Sequence, residues 1–231
     1  MKDIILIATI KDWNINNFYE FKKKFEDKYN LYLITNKDDL IYQNVKDINP
    51  KYIFFPHWSW LIPNEIYKNY ECILFHMTDL PYGRGGSPLQ NLITNKIYNT
   101  KISAIKVTKE LDEGDIYLKE NFDISKGSAR EIYENASNLI FSELIPKIIE
   151  NNLIPTKQAG EIVIFKRRTP EQSNIKTLND ISINNLYDFI RMLDAPSYPK
   201  AYIELDNLKI ELSEVIIKDG KLEGRFEVSK D

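Results

Sequence analysis

His76 and Asp112 are the residues of this chain whose types and setting could move a proton during a reaction. Imidazole titrates near neutrality, so a histidine beside a substrate amine can accept its proton and pass it on. A nearby carboxylate would orient such a ring and favour its charged form. The chain has only two histidines, and His76 opens the run His76-Met77-Thr78-Asp79-Leu80-Pro81-Tyr82-Gly83-Arg84-Gly85-Gly86-Ser87-Pro88. Asp112 stands in Glu110-Leu111-Asp112-Glu113-Gly114-Asp115. Alone, a histidine at a strand end is more often a satisfied polar residue, and an aspartate before glycine a turn residue. The interest lies in having both, with a glycine-rich loop between them.

These segments resemble the formyltransferases that use 10-formyltetrahydrofolate, where a His-x-Ser-x-Leu-Pro segment works with the first Asp of a Leu-Asp-x-Gly-Asp segment. His76-Met77-Thr78-Asp79-Leu80-Pro81 and Leu111-Asp112-Glu113-Gly114-Asp115 fit that pattern, and Arg84-Gly85-Gly86-Ser87-Pro88 looks like the family's substrate loop. The resemblance implies His76 as base or proton shuttle and Asp112 as the residue that orients it. It departs at Leu74, where the family carries an Asn whose amide helps to bind the oxyanion. Ser59 and Thr78 are candidate replacements, and His57 ranks first because it ends a neighbouring strand in Phe54-Phe55-Pro56-His57-Trp58-Ser59-Trp60-Leu61-Ile62-Pro63. A lost oxyanion donor costs about 100- to 1000-fold in rate, so an active enzyme would need some substitute.

By the same resemblance, Trp58, Leu61, Pro63, Leu74 and Asp115 would line the folate site, and Tyr82, Arg84, Gly85, Gly86 and Ser87 the acceptor site. The glycines would admit a substrate close to the backbone. Lys166, Arg168, Arg191 and Tyr198 look like the segments of sugar-nucleotide formyltransferases that hold a diphosphate, to which a planar guanidinium is suited. The form is most similar to the PseJ-like branch, which formylates UDP-linked 4-amino-4,6-dideoxy sugars of the pseudaminic-acid type. A methionyl-tRNA formyltransferase-like enzyme and a non-catalytic folate- or nucleotide-binding module are the alternatives, the latter motivated by Leu74.

The 231 residues, 43% apolar, suffice for a sizeable core. The single Cys72 excludes an internal disulfide framework and points to a reducing, cytoplasmic setting in which the thiol is a small core residue. No leader or membrane span is expected. A net charge of -3 offers no broad attraction to nucleic acid. The expected partners are therefore folate and a small sugar nucleotide, with no nucleic acid, membrane or metal, and a homodimer left open.

Positioning such a site falls to an α/β scaffold. Asp3 to Ile10 is a nearly continuous apolar run suited to a strand buried on both faces, followed by a helix from Ile15 to Tyr29 with Phe18, Phe21 and Phe25 at helical spacing. Further strands are expected at Leu31–Ile34, Tyr52–Phe55 and Cys72–His76, and helices at Asp38–Gln43, Pro63–Asn69 and Pro88–Thr94. This alternation predicts a doubly wound, mostly parallel sheet over residues 1–155, with ligands outside the carboxyl ends of its strands. No phosphate-binding glycine fingerprint follows the first strand, so a dinucleotide enzyme is not supported.

Strands at Ile102–Thr108 and Ile116–Phe122 would flank the Asp112 turn. Ser128 and Glu131 form a capping box opening a helix to about Asn151, and Asn151 to Gly160 reads as a linker. Residues 156–231 would form a small β-rich subdomain. It would hold a basic strand at Ile162–Arg168, a helix at Ile183–Leu193 and strands at Ala201–Leu205, Leu208–Val215 and Gly224–Val228.

Overall fold

The computed structural model describes residues 2–196 and 198–230. Its elements run β1 (Ile4–Ala8), α1 (Asp12–Phe25), β2 (Asn30–Ile34), α2 (Tyr42–Ile48), β3 (Tyr52–Phe55), α3 (Asn64–Asn69), β4 (Glu71–His76), β5 (Tyr82–Gly85), α4 (Pro88–Thr94), β6 (Asn99–Lys106) and β7 (Ile116–Asp123). They continue through α5 (Ala129–Leu139), α6 (Ile145–Asn151), β8 (Val163–Phe165), α7 (Ile183–Arg191), β9 (Ala201–Leu205), β10 (Leu208–Lys218) and β11 (Lys221–Lys230). The fold is mixed α/β, with a mostly parallel central sheet and a small antiparallel C-terminal sheet.

The described residues divide into two compact units, each assembled from several segments. The first comprises 2–84, 101–122 and 134–163; the second comprises 85–100, 123–133 and 164–230.

The central sheet has the order β2-β1-β3-β4-β6-β7. β1 through β4 are parallel neighbours, whereas β6 runs antiparallel to β4. β1 lies in the interior of the sheet because Ile5, Leu6, Ile7 and Ala8 offer apolar surface to both faces, and all four are inaccessible to solvent. α1 buries Trp13, Phe18, Phe21 and Phe25, with Asp12 in its first turn and Lys22 to Lys24 in its last, as the helix dipole favours. Strand order reverses between β1 and β3, and open α/β sheets bind ligands beyond the carboxyl ends of the strands at such a point. A buried polar network ties the ends of these two strands together: Thr9 Oγ1 donates to the Pro56 carbonyl at 2.8 Å, and Asn14 Nδ2 donates to Thr9 Oγ1 at 2.9 Å and to the same carbonyl at 3.1 Å.

Three local departures from expectation have physical causes. The helix expected at Asp38–Gln43 is displaced, because the Asn36 side chain accepts from the Asp38 N–H and starts a short 3-10 turn at Lys37–Asp39. Helix α2 starts only after this turn and ends at Asn49 in the left-handed region. The helix from Ser128 carries the expected box, with Glu131 Oε2 accepting from the Ser128 N–H at 2.7 Å. It passes through a π turn at Ile140–Leu144 before Pro146, whose ring and missing N–H oppose a regular turn. Finally, the glycine-rich loop contains strand β5, which pairs with β8.

In the second unit the strands pair antiparallel in the order β11-β10-β9, with a register shift between Ser213 and Ile216. Helix α7 is capped by the Ser182 side chain, which accepts from the Asn185 N–H. No described helix is long and apolar enough to cross a membrane.

Candidate active site

His76 is the last residue of β4, at the carboxyl edge of the parallel strands, and is 7% exposed. Its Nε2 lies 2.8 Å from the Gly83 carbonyl and its Nδ1 lies 3.5 Å from Asp112 Oδ1. Both ring nitrogens thus face oxygens, and a proton on the ring can reside at either side. The loop after His76 is anchored by Ser103, whose hydroxyl donates to the Thr78 carbonyl at 2.7 Å. Asp79 pairs with Lys119 at 2.6 Å and Lys101 at 3.0 Å. Burial pushes the Asp79 carboxyl up, but these lysines outweigh it and hold the group below its ordinary value. The Leu80–Pro81 peptide is cis.

Asp112 approaches from the turn between β6 and β7 and has a left-handed backbone, φ 56°, which aspartate tolerates better than most residues. Gly114 is demanded by the same turn, since a Cβ there would stand 1.7 Å from the Lys106 carbonyl oxygen. The Lys106 N–H donates to the Asp115 carbonyl at 2.8 Å, so the backbone of Asp115 closes this turn against β6.

His57 lies two residues beyond β3, as His76 lies two beyond Leu74, and Phe55 is in register with Leu74. The two histidines therefore leave adjacent parallel strands at one edge. His57 has φ 52° and meets the Trp13 ring edge-on at 5.7 Å. Burial, aided by the Lys11 charge, lowers its pKa to about 4, so the ring is neutral at physiological pH and can donate an N–H. The Thr78 hydroxyl, another candidate donor, faces the Gly83 carbonyl at 3.4 Å.

Trp58, Leu61 and Pro63 line one cavity of about 250 Å³ together with Lys37, Leu40 and Trp60. Trp58 Nε1 is buried without a hydrogen-bond partner, which marks a donor for a polar group entering there. Leu74 and Asp115 are not among the cavity's walls. Leu74 packs instead against the apolar cluster of Leu6, Ile53, Phe55 and Cys72, where an aliphatic side chain is at home. In that cluster burial pushes the Cys72 thiol up to about 12, which makes it inert.

Arg84, expected at the acceptor, is bound internally. Its Nε and Nη2 donate to Gln158 Oε1 at 3.1 and 2.9 Å, and its Nη1 lies 3.1 Å from Glu113 Oε1. Tyr82 is half-buried on β5. At Gly85 and Gly86 the chain itself occupies the space that a side chain would take, so close packing of the chain already requires glycine there. A Cβ on Gly85 would be 2.5 Å from the Phe165 carbonyl oxygen, and one on Gly86 would be 2.6 Å from Arg167 Cβ.

In the second unit Ser87, Arg168 and Tyr198 come together. Ser87 Oγ accepts from the Arg168 N–H at 3.1 Å and lies 3.2 Å from the Tyr198 hydroxyl. The Arg168 guanidinium bonds the Gln172 carbonyl and lies over the Phe189 ring, yet its buried Nε has no partner. Lys166 is exposed nearby in sequence.

Arg191 is 1% exposed, and Nε and Nη1 of its guanidinium are engaged within the chain, while its buried Nη2 has no hydrogen-bond partner. Nε pairs with Asp188 at 2.8 Å, and Nη1 donates to the carbonyls of Ile124 at 3.0 Å and Gly127 at 3.1 Å. Asp188 in turn accepts from Tyr98 and Lys96. Burial pushes the Asp188 carboxyl up, but hydrogen bonds from Tyr98, Lys96 and Arg191 hold it below its usual value.

No cluster that could hold a metal ion occurs among the described residues.

The chain is similar to a solved structure described as methionyl-tRNA formyltransferase from Clostridium thermocellum. The two share 50% identity over 99% of this chain and 100% of that one, with a TM-score of 0.95. The chain belongs to the formyltransferase family. Residues 170–229 match the family model for the methionyl-tRNA formyltransferase C-terminal domain. A Campylobacter jejuni methionyl-tRNA formyltransferase is 24% identical over 84% of this chain and 64% of that protein. The chain spans between about half and two thirds of the length of the first curated relatives it matches. A Mycobacterium tuberculosis structure described as a likely sugar N-formyltransferase shares the fold, with a TM-score of 0.73 and 16% identity over 95% of this chain and 99% of that one.

Gln158 was not foreseen in the sequence. It lay in a stretch read as a linker, and a lone polar residue between Pro155 and Gly160 carries no periodic signal.

Proposed function

We propose that this chain transfers a formyl group from 10-formyltetrahydrofolate to the amino group of an acceptor. The observation that carries this reading is the placement of buried His76 between the Gly83 carbonyl and the Asp112 carboxylate, at the carboxyl edge of the sheet. The acceptor nitrogen attacks the formyl carbon and gives its proton to His76. The formyl oxygen becomes an oxyanion, for which neutral His57 is the candidate donor. The bond from the formyl carbon to folate N10 then breaks, and the departing nitrogen takes a proton from His76. Trp58, Leu61 and Pro63 are the candidate walls for the folate.

For the acceptor, the first reading is a nucleotide-linked amino sugar, with a UDP-linked 4-amino-4,6-dideoxy sugar as the specific form. Its support is the acidic balance of the chain and a buried Arg168 Nε left without a partner, in a residue whose backbone N–H meets the Ser87 hydroxyl that also contacts Tyr198. Residues 156–231 would supply these contacts, in a cytoplasmic enzyme. The second reading is methionyl-tRNA, favoured by the names of the 50%-identical structure and of the family model over residues 170–229. Incubation with 10-formyltetrahydrofolate and, separately, nucleotide-linked 3-amino and 4-amino sugars and charged initiator tRNA decides between them. The readout is a mass gain of one formyl group. Folate binding by calorimetry with no transfer to any acceptor would leave a binding module.

A further inference from the structure

We propose that Gln158 is a positioning residue that holds both sides of the His76 site in register. Its Oε1 accepts from Arg84 Nε and Nη2, and its Nε2 donates to the carbonyls of Asp112 at 2.7 Å and Gly114 at 2.8 Å. Arg84 follows Gly83, whose carbonyl meets His76 Nε2, and Asp112 supplies the carboxylate facing His76 Nδ1. One side chain thus ties together the two backbone segments that bracket the imidazole.

The amide's hydrogen-bonding capacity is filled, two donors to carbonyls and one oxygen shared by a guanidinium, so its part is to hold geometry. Glutamine suits the place because glutamate cannot donate to the two carbonyls and lysine cannot accept from Arg84. The segment carrying it is itself fastened at several points. Thr156 exchanges backbone hydrogen bonds with Ile116 at 2.9 and 2.7 Å, and the Val163 N–H donates to the Pro81 carbonyl at 3.4 Å. A Cβ on Gly160 would stand 3.6 Å from Pro81 Cδ. Residues 156–163 therefore form a strap that joins the Asp112 turn to the loop after His76. The strap holds a turn of special backbone geometry, in which Asp112 has φ 56° and Gly114 leaves no room for a Cβ beside the Lys106 carbonyl.

The kinetic part of the test rests on the formyl-transfer reading; the spectroscopic part does not. Gln158→Ala removes both halves of the clamp, whereas Gln158→Glu keeps the acceptor for Arg84 and removes the donors to the turn. In folded samples of both variants, kcat for formyl transfer should fall at least about tenfold, since a displacement near 1 Å at a reacting group can cost about 100-fold. KM for 10-formyltetrahydrofolate should stay within about twofold, as expected when binding is untouched. Independently, NMR of the histidine rings, assigned with His76→Asn, should show His76 resonances displaced in Gln158→Glu while those of His57 stay in place. Unchanged kcat in either folded variant, or a raised KM with kcat retained, would overturn the proposal. If the native chain transfers no formyl group to any acceptor, the NMR result alone decides, and His76 resonances coincident with the native protein's would refute the clamp.

Discussion

His76 Nδ1 and Asp112 Oδ1 stand 3.5 Å apart, with both side chains mostly shielded from water. That separation is an ion-pair distance, longer than a formed hydrogen bond. A pair that handles the acceptor's proton has a clear mutational signature. His76→Ala and Asp112→Asn should each lower kcat by at least about 100-fold, the scale of general-base catalysis. Sugar-nucleotide affinity, measured by calorimetry, should be retained. Near-normal turnover in either variant would remove the proposed proton path.

The oxyanion donor is tested by exchanging residues at the ends of the adjacent strands. Leu74 is partly buried against an apolar cluster, so Leu74→Asn sets an amide beside Leu6, Ile53 and Phe55 and should destabilise the fold by about 1 kcal/mol or more without raising kcat. His57→Ala should slow turnover about 100-fold if its neutral ring holds the oxyanion. Normal kinetics for His57→Ala together with faster turnover for Leu74→Asn would place the donor elsewhere and leave the native chain an impaired catalyst.

Sequence alone was sufficient where structure follows from local pattern. The buried apolar run of β3 at Tyr52–Phe55 and the Pro-initiated α4 at Pro88–Thr94 fall at their expected bounds, and the Ser128–Glu131 box forms as written. It was insufficient where a residue's part is set by chain far away. Gly85 and Gly86 have a further reason to lack side chains, close packing, that shows only once Phe165 and Arg167 are brought beside them. Arg191 reads as an exposed cation for the same reason, since the Ile124 and Gly127 carbonyls that enclose it lie more than sixty residues earlier.

Arg191 and Arg168 should behave differently. Arg191→Ala removes one partner of Asp188, which keeps Tyr98 and Lys96, and takes donors from two buried carbonyls, a loss of about 1 to 3 kcal/mol. A chemical-denaturation midpoint shifted by that amount is the expected result, and a native midpoint with a raised KM would restore Arg191 to the substrate. On the reading in which the acceptor is a nucleotide-linked sugar, Arg168→Ala should instead raise KM for it about tenfold or more with little change in kcat, as for an ion-assisted contact present throughout the reaction. An unchanged KM would remove the diphosphate from Ser87, Arg168 and Tyr198.

The pH dependence of stability isolates His57. Its pKa falls from 6.5 in the unfolded chain to about 4 in the folded one, chiefly because burial disfavours the charged ring. Between those values the unfolded chain binds more protons than the folded one, so stability rises with pH through this window and is lost as pH drops from about 6.5 toward 4. The shift corresponds to a loss on the order of 3 kcal/mol at pH 4 relative to pH 7. His57→Gln carries no titrating group and should flatten that part of the curve, so denaturation midpoints of the two proteins should converge as the solution is acidified from pH 7 to pH 4.5. Parallel curves over the whole range would show that the native His57 ring is already well solvated, and with that the case for a neutral imidazole donor at the oxyanion would fall.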